Sequence, residues 1–307
     1  MKKFLSKSIV LFLPVLILAV LAELVMRKLP TDYKAKSDYL KTHSASTEVL
    51  ILGSSHALFS INPQDLGRKA YNAAYLGQSL DYDARILAKY GGRMTALNTL
   101  IVPLSYPSMF ESMDHMSLSW RRYNYNLYYG LEGHWGLADY SELLGKDVLK
   151  QLGSAFSYHV LSDPVRRTDS LGWGLRSYPK DLWKSGKASA EGHTRTLDNA
   201  EHLERHLQLK SDLDGIVAWC RLHEVNLVFV TTPAFVSYRQ ELSPEQVELF
   251  TGYAMEQAEK NAQCYYWNFM DHPLFTESDF SDATHLSVPG SQKLGALLKD
   301  SLDHYQL

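Results

Sequence analysis

The run Glu48-Val49-Leu50-Ile51-Leu52-Gly53-Ser54-Ser55-His56-Ala57 limits the architecture more than any other stretch of the chain. A half-solvated strand alternates apolar and polar residues, so an unbroken aliphatic run bounded by glycine reads as an interior strand of a parallel sheet covered on both faces. Gly53 lets the backbone turn sharply at the carboxyl end of that strand. Ligands of open α/β sheets bind beyond those ends. A serine placed there opens whatever helix follows, with its hydroxyl exposed and its own N–H directed at bound anionic oxygen. Ser55 is therefore the candidate nucleophile, set against the plainer reading of Gly-Ser-Ser as a solvated turn.

The far end of the chain supplies a matching acid and base. Asp282-Ala283-Thr284-His285-Leu286 precedes Ser287-Val288-Pro289-Gly290 and a final helical segment. A three-residue spacing lets the Asp282 carboxylate reach Nδ1 of His285 while Nε2 faces outward to accept a proton from a hydroxyl. Asp271 and Asp279 are the neighbouring carboxylates, but neither has that spacing. His56 is set aside as a base because adjacent residues at a turn diverge in direction.

At these residues the chain resembles the SGNH (GDSL-like) hydrolase superfamily. Gly53-Ser54-Ser55 stands in the place of its Gly-Asp-Ser block and Asp282-x-x-His285 in the place of its late Asp-x-x-His block. Gly-Ser-Ser behind an N-terminal membrane helix looks like the membrane-anchored branch, which includes the D-alanyl-transfer protein of teichoic acid operons and polysaccharide O-acetylation proteins. The layout of the resemblance runs from about Val49 to Leu298, with its specific motifs at the two ends. It implies a three-layer α/β/α sandwich around a five-stranded parallel sheet of flavodoxin-like type. It also implies acyl transfer to a cell-surface polysaccharide or cell-wall polymer, a membrane-bound O-acyltransferase partner that supplies the acyl group, and a large domain on the outer side of the cytoplasmic membrane. The same three residues would equally serve a surface esterase or deacetylase. Two departures keep a third reading open, that of an inert glycan-binding or assembly protein. Ser54 replaces the family's Asp, and Pro103-Leu104-Ser105-Tyr106 follows the strand Thr99 to Val102 where the family has Gly-x-Asn-Asp. Ala70 to Ser79 matches the second block, in which a strand ends in a glycine-bearing loop. Gly77, lacking a Cβ, can approach a reacting carbonyl closely and is the candidate oxyanion donor beside the N–H of Ser55.

Residues 1–28 read as a membrane anchor: Lys2, Lys3 and Lys7 precede an apolar stretch from Ile9 to Met26, and Arg27-Lys28 closes it. As a helix that stretch rises about 27 Å, close to the hydrocarbon thickness of a bilayer. A cleaved signal peptide is the alternative, but Ala19 and Ala22 have the wrong separation for a small-x-small cleavage site. Residues 29–47 read as a polar stalk, and 48–307 as the catalytic domain. Helical patterns over Asp81–Tyr90, Asn199–His223, about Ser243–Asn261 and about Pro289–Asp303 alternate with strands at Thr99–Val102, at Asn226–Thr232 with a stop at Pro233, and at Cys264–Phe269, the repeat expected of a parallel sheet. Ser243-Pro244-Glu245-Gln246 reads as a helix start with a capping box.

An aromatic-rich insertion is expected over about 105–198. Within it Trp120, Arg121 and Tyr123 mix aromatic rings with a guanidinium, as sugar-stacking surfaces do, although aromatics at this density also pack into cores. Gly172-Trp173-Gly174 and Pro179 suggest a loop or lid. With 307 residues, 45% of them hydrophobic, the chain can bury one sizeable core, and a net charge of -3 gives no basic surface for nucleic acid. Cys220 and Cys264 read as buried thiols, a disulfide being permitted outside the cytoplasm. No cofactor is expected. No metal-ligand spacing occurs among the histidines or cysteines, and the His202–His206 pair reads as solvated.

Overall fold

The computed structural model of the chain describes residues 2–115, 119–131, 136–144, 148–174 and 181–307. They form two compact units, Met1–Asp38 with Ser119–Arg167 and Tyr39–Leu118 with Thr168–Leu307. In chain order the helices are α1 (Lys2–Arg27), α2 (Asp32–Thr42), α3 (Ser55–Ser60), α4 (Leu80–Tyr90), the single turn α5 (Arg122–Asn124), α6 (Val148–Phe156), α7 (Leu182–His193), α8 (Ala200–Leu222), α9 (Val236–Arg239), α10 (Pro244–Lys260) and α11 (Val288–Tyr305).

The larger unit is an α/β fold around a five-stranded parallel sheet. Its strands are β1 (Val49–Ile51), β2 (Ala70–Asn72), β3 (Thr99–Pro103), β4 (Asn226–Thr231) and β5 (Cys264–Asn268), in the order β2-β1-β3-β4-β5. That order, 2-1-3-4-5, is the flavodoxin-like one, and its direction of winding reverses between β1 and β3. Register places Val49 beside Thr99 and Ile51 beside Ile101, so the two strands start together, and a crevice opens beyond their carboxyl ends. Parallel neighbours need long crossovers, and helices supply them on both faces of the sheet. Leu50, Ile51, Ile101, Val102, Val228 and Phe229 consequently have essentially no exposed surface. β5 at the edge is different: Tyr265, Tyr266 and Trp267 are half-buried.

After β5 the chain makes a small antiparallel hairpin, β6 (Phe280–Asp282) and β7 (His285–Leu286). α11 follows, its first turn capped by Ser287 Oγ accepting from Gly290 N–H at 3.4 Å. Ser291 Oγ donates to Ser60 O at 3.1 Å and ties α11 to the end of α3. The start of α10 falls at the expected place, but its cap differs. Ser243 makes no side-chain cap, and its N–H donates to Tyr106 OH at 3.0 Å rather than to Gln246, which is drawn into a buried junction instead. There Gln246 Nε2 donates to Tyr106 O at 2.8 Å and to His193 O at 3.1 Å, while Oε1 accepts from Arg195 N–H at 2.7 Å. Cys220 and Cys264 are free and buried.

The smaller unit contains α1, whose segment Lys7–Arg27 has a mean hydropathy of 2.9 and is only 6% buried. Glu23 near its end accepts from Ser141 Oγ at 2.9 Å and from the N–H groups of Glu142 and Leu143 at 3.1 and 3.0 Å. The stalk expected over 29–47 is instead largely helical, as α2. Its residues are not freely solvated: Tyr33 is buried edge-on against Tyr125 with centroids 5.4 Å apart, and Ser37 Oγ donates to Tyr128 O at 2.6 Å. The insertion expected over 105–198 is divided, since 119–167 joins the N-terminal segment and the remainder stays with the sheet. Short-range polarity misled both expectations, because the aromatic partners of α2 lie about ninety residues away in sequence.

Truncating Ile101 at the centre of the sheet should cost about 2–5 kcal/mol of stability in Ile101→Ala. Urea unfolding followed by circular dichroism measures it, and an unchanged midpoint would place the core elsewhere.

Candidate active site

The turn after β1 depends on Gly53, whose φ is +112°, a conformation that side-chain-bearing residues rarely adopt. A Cβ there would also lie 3.3 Å from Pro103 Cδ at the end of β3. Ser54 is the N-cap of α3 and Ser55 its first residue. Four hydrogen bonds from three residues fix this short helix. Asn72 Nδ2 donates to Ala57 O at 3.0 Å and to Ile61 O at 2.9 Å, Trp173 Nε1 donates to Phe59 O at 3.1 Å, and Gly174 N–H donates to Leu58 O. Gly172-Trp173-Gly174 is a loop, as expected, packed as a brace against α3, and Pro179 lies outside the described residues.

The hairpin brings the second half of the site to the first. His285 Nε2 lies 2.8 Å from Ser55 Oγ, and His285 Nδ1 lies 2.9 Å from Asp282 Oδ1, although 230 residues separate the serine from the histidine. With Nδ1–H donating to the carboxylate, Nε2 is left as the acceptor for the serine hydroxyl. Asp282 Oδ1 also accepts from Thr284 N–H at 2.9 Å and from Thr284 Oγ1 at 3.0 Å. That Asx-type turn holds the carboxylate still while it orients the ring. The imidazole is further confined by His56, stacked on it with centroids 5.0 Å apart and planes 14° apart, and by the edge of Phe59. The rival carboxylates are engaged elsewhere: Asp279 pairs with Lys293 at 2.7 Å and Asp271 with Arg239.

Ser55 and His285 line a cavity of about 210 Å³, together with Gly53, Gly77, Asp83, Ser105, Glu111 and His193 among others. Gly77 has φ +67°, a left-handed turn that suits glycine. Its loop is joined to the Gly53 turn twice. Tyr75 N–H donates to Gly53 O at 3.1 Å, and Asp83 Oδ1 accepts both Gly53 N–H at 3.0 Å and Gln78 Nε2 at 2.6 Å. Asp83 has no exposed surface, and burial pushes its carboxyl up to about 7 against the two hydrogen bonds that favour the ionised form. Ser105, at the place where the family's third block has no counterpart, has both its N–H and its hydroxyl 2.9 Å from Ser108 Oγ. Burial also raises Glu111 to about 7, offset by Arg195 and Arg205. His193, whose Nδ1 is 2.9 Å from Tyr238 OH, is lowered to about 4 by burial, with His285 and Arg195 adding to the fall. Near pH 7 the cavity wall therefore carries a neutral His193 and two carboxyl groups, Asp83 and Glu111, that burial has brought close to their titration points.

Of the residues singled out in the sequence, Ser55, Asp282 and His285 come together, and Gly77 lines the same cavity. Trp120, Arg121 and Tyr123 lie in the other unit. Arg121 sits over the Trp120 ring at 5.2 Å, both half-buried, but Tyr123 is only 3% exposed and points its hydroxyl at Glu142 and Gln151. Tyr123 is a packed ring and not an open stacking face, because its hydroxyl has buried partners to satisfy. Sequence reasoning missed Thr284, Asp83, Glu111 and His193. Thr284 carried a readable signal, a hydroxyl residue two positions after an Asp; the other three carried none.

No family model matches the chain, and no curated protein is similar to it. Among solved structures, one from Streptococcus pneumonia, described provisionally as a platelet activating factor, aligns over 97% of this chain and 99% of its own, with 11% identity and a TM-score of 0.45. At that identity and score the likeness says nothing about reaction or substrate.

A carboxyl raised from 3.8 to about 7 keeps in the folded state a proton that the unfolded chain loses near pH 4. Its stabilisation is therefore full below about pH 4 and is lost as pH rises through about 7. Urea unfolding at pH 5 and pH 8 should show wild type losing on the order of 2 kcal/mol more than Asp83→Asn over that interval. Parallel losses in the two proteins would show that Asp83 ionises normally.

Proposed function

We propose that the chain is a serine-dependent acyl-transfer enzyme acting on O-acyl groups of a cell-surface polysaccharide or cell-wall polymer. The observation that carries this reading is the continuous relay from Ser55 Oγ through His285 to Asp282, at 2.8 and 2.9 Å. A serine hydroxyl is protonated at neutral pH and needs such a base to become a nucleophile. As Ser55 Oγ bonds to the ester carbonyl carbon, its proton passes to His285 Nε2, and Asp282 stabilises the imidazolium through Nδ1–H. The carbonyl oxygen gains the negative charge, which the N–H groups of Ser55 and Gly77 stabilise. Collapse expels the alcohol, which takes the proton from His285, and leaves the acyl group on Ser55. An incoming hydroxyl then gives its proton to His285 as its oxygen bonds to the acyl carbon, and Ser55 Oγ takes that proton back from His285 as the acyl–serine bond breaks. If that hydroxyl belongs to a sugar, the enzyme is an O-acyltransferase. If it belongs to water, the same residues make an esterase.

A cavity of about 210 Å³ suits a short acyl chain such as acetyl. The polymer acceptor and a membrane-bound O-acyltransferase donor are proposed on the resemblance of Gly53-Ser54-Ser55 and Asp282-x-x-His285 to the anchored branch of the SGNH superfamily. α1 is proposed as a single-pass anchor in the cytoplasmic membrane, the sheet-bearing unit lying outside. Its 26 residues and apolar composition support this.

Ser55→Ala and His285→Ala in the full-length chain should each lower turnover of p-nitrophenyl acetate by about a thousandfold or more, with the thermal melt unchanged. Retained turnover in both would reject Ser55 as nucleophile. Wild type should also move acetyl from the chromogenic ester to an oligosaccharide, read by mass spectrometry as a gain of one acetyl. Release of acetate alone would assign the esterase.

Thr284→Val removes one donor from the Asp282 carboxylate and should lower kcat about tenfold with little change in KM. An unchanged kcat would show that the Asp282 geometry needs no support from the Thr284 hydroxyl.

A further inference from the structure

In the unit formed by Met1–Asp38 and Ser119–Arg167, large aliphatic side chains are turned outward beyond α1 itself. Leu149 is 82% exposed, Phe156 58%, Val160 61% and Leu161 58%, and Leu152 is 41% exposed. α6 runs directly into a π-helical turn, Ser157–Leu161. Residues 149, 152, 156 and 160 recur at intervals of three and four and so fall on one stripe. The other side of this helix faces inward: Ala155 is buried, and Gln151 Nε2 donates to Tyr123 OH at 3.1 Å. No acidic residue occurs between Leu149 and Leu161. Glu142, just before the helix, is 2% exposed and is held by the hydroxyls of Tyr123 and Tyr128. A helix whose outer face met water would carry its charges there. This one carries leucine, phenylalanine and valine in a contiguous row, unlike the single apolar residues scattered over ordinary surfaces.

What covers the row is indicated by its neighbour. α6 packs beside α1 within the same unit, and α1 is itself apolar and almost wholly unburied. The exposed stripe is therefore continuous with a surface whose length and composition fit hydrocarbon. We propose that α6 and the turn after it lie in the headgroup–acyl boundary of the bilayer, as an interfacial helix beside the spanning one. This rests on α1 being the membrane anchor. Tyr158, 37% exposed on the same segment, is the kind of amphipathic ring that settles at that depth. A single spanning helix leaves its attached unit free to swivel and tilt. A second contact beside it fixes how that unit stands on the membrane.

The test uses the full chain reconstituted in phosphatidylcholine–phosphatidylglycerol vesicles, with Leu152→Cys, Phe156→Cys or Lys187→Cys labelled by an environment-sensitive fluorophore. Lys187 is exposed on α7 and serves as the aqueous control, and the buried Cys220 and Cys264 make labelled wild type the blank. The probes at 152 and 156 should shift to shorter wavelength, lose emission to lipids carrying a shallow nitroxide and resist aqueous iodide, while the probe at 187 does the reverse. Iodide quenching at 152 and 156 equal to that at 187 overturns the proposal. Alkaline carbonate extraction reads α1 independently: a chain washed off the vesicles rejects the anchor, whereas a retained chain with water-exposed probes rejects the interfacial helix alone. Shielding that develops only when a second membrane protein is reconstituted alongside makes the stripe a protein-docking face and also overturns it. Unchanged melting temperatures establish that the labelled chains are folded.

Discussion

The contact between Ser55 Oγ and His285 Nε2 is the constraint on which the arrangement of the larger unit turns. Its partners come from opposite ends of that unit's sequence, so the contact exists only when β1 is paired into the sheet and the β6–β7 hairpin is docked above it. Loop closure over such a separation is entropically costly, and the cost is met by local ties rather than by the contact itself. Ser291 to Ser60 O, Asn72 to α3 and Trp173 to Phe59 O each fix one element relative to another. The proposed reactive pair is thus held by its surroundings, as preorganised chemistry requires.

Two buried carboxyl groups do opposite electrical work around the cavity. Asp282 collects three donors on one oxygen and faces the imidazole that would take up positive charge. Asp83 collects two donors but lies where nothing compensates its charge, and burial moves it toward the neutral form. That shift toward the neutral form suits its place, because it bridges the Gly53 turn and the loop bearing Gly77. A full negative charge there would oppose the build-up of charge on a carbonyl oxygen. Glu111 and His193 are pushed toward neutrality by the same desolvation.

The smaller unit inverts the usual order of side chains. Five of its tyrosines, Tyr33, Tyr123, Tyr125, Tyr128 and Tyr129, are inside and hydrogen-bonded or ring-packed, while leucines and valines on α1 and α6, such as Leu16, Val20, Leu149 and Leu152, are outside. In water that order is unfavourable, since exposed aliphatic surface costs free energy roughly in proportion to its area. In a bilayer it is the favourable one, because hydrocarbon solvates leucine and leaves a phenol in want of a partner. The aromatic density that in the sequence suits either a sugar-facing platform or a core belongs, at Tyr123, to the core.

The chain's own order of residues settled the α/β class, the apolar N-terminal helix and most helix and strand positions, and singled out Ser55, Asp282 and His285 as candidates. Each of these rests on local chemistry: an aliphatic run before glycine, an acid three residues from an imidazole, and a turn residue before a helix. Tertiary structure alone decided the distance between Ser55 and His285, the helical state of α2, the packing of Tyr123, the diversion of Gln246 from the Ser243 capping box, and the desolvation of Asp83, Glu111 and His193. All of these depend on a partner distant in sequence or on desolvation by neighbours that no short stretch encodes. An aspartate in the first turn of a helix looks the same whether it meets water or a closed cavity, and only the packed fold tells the two apart.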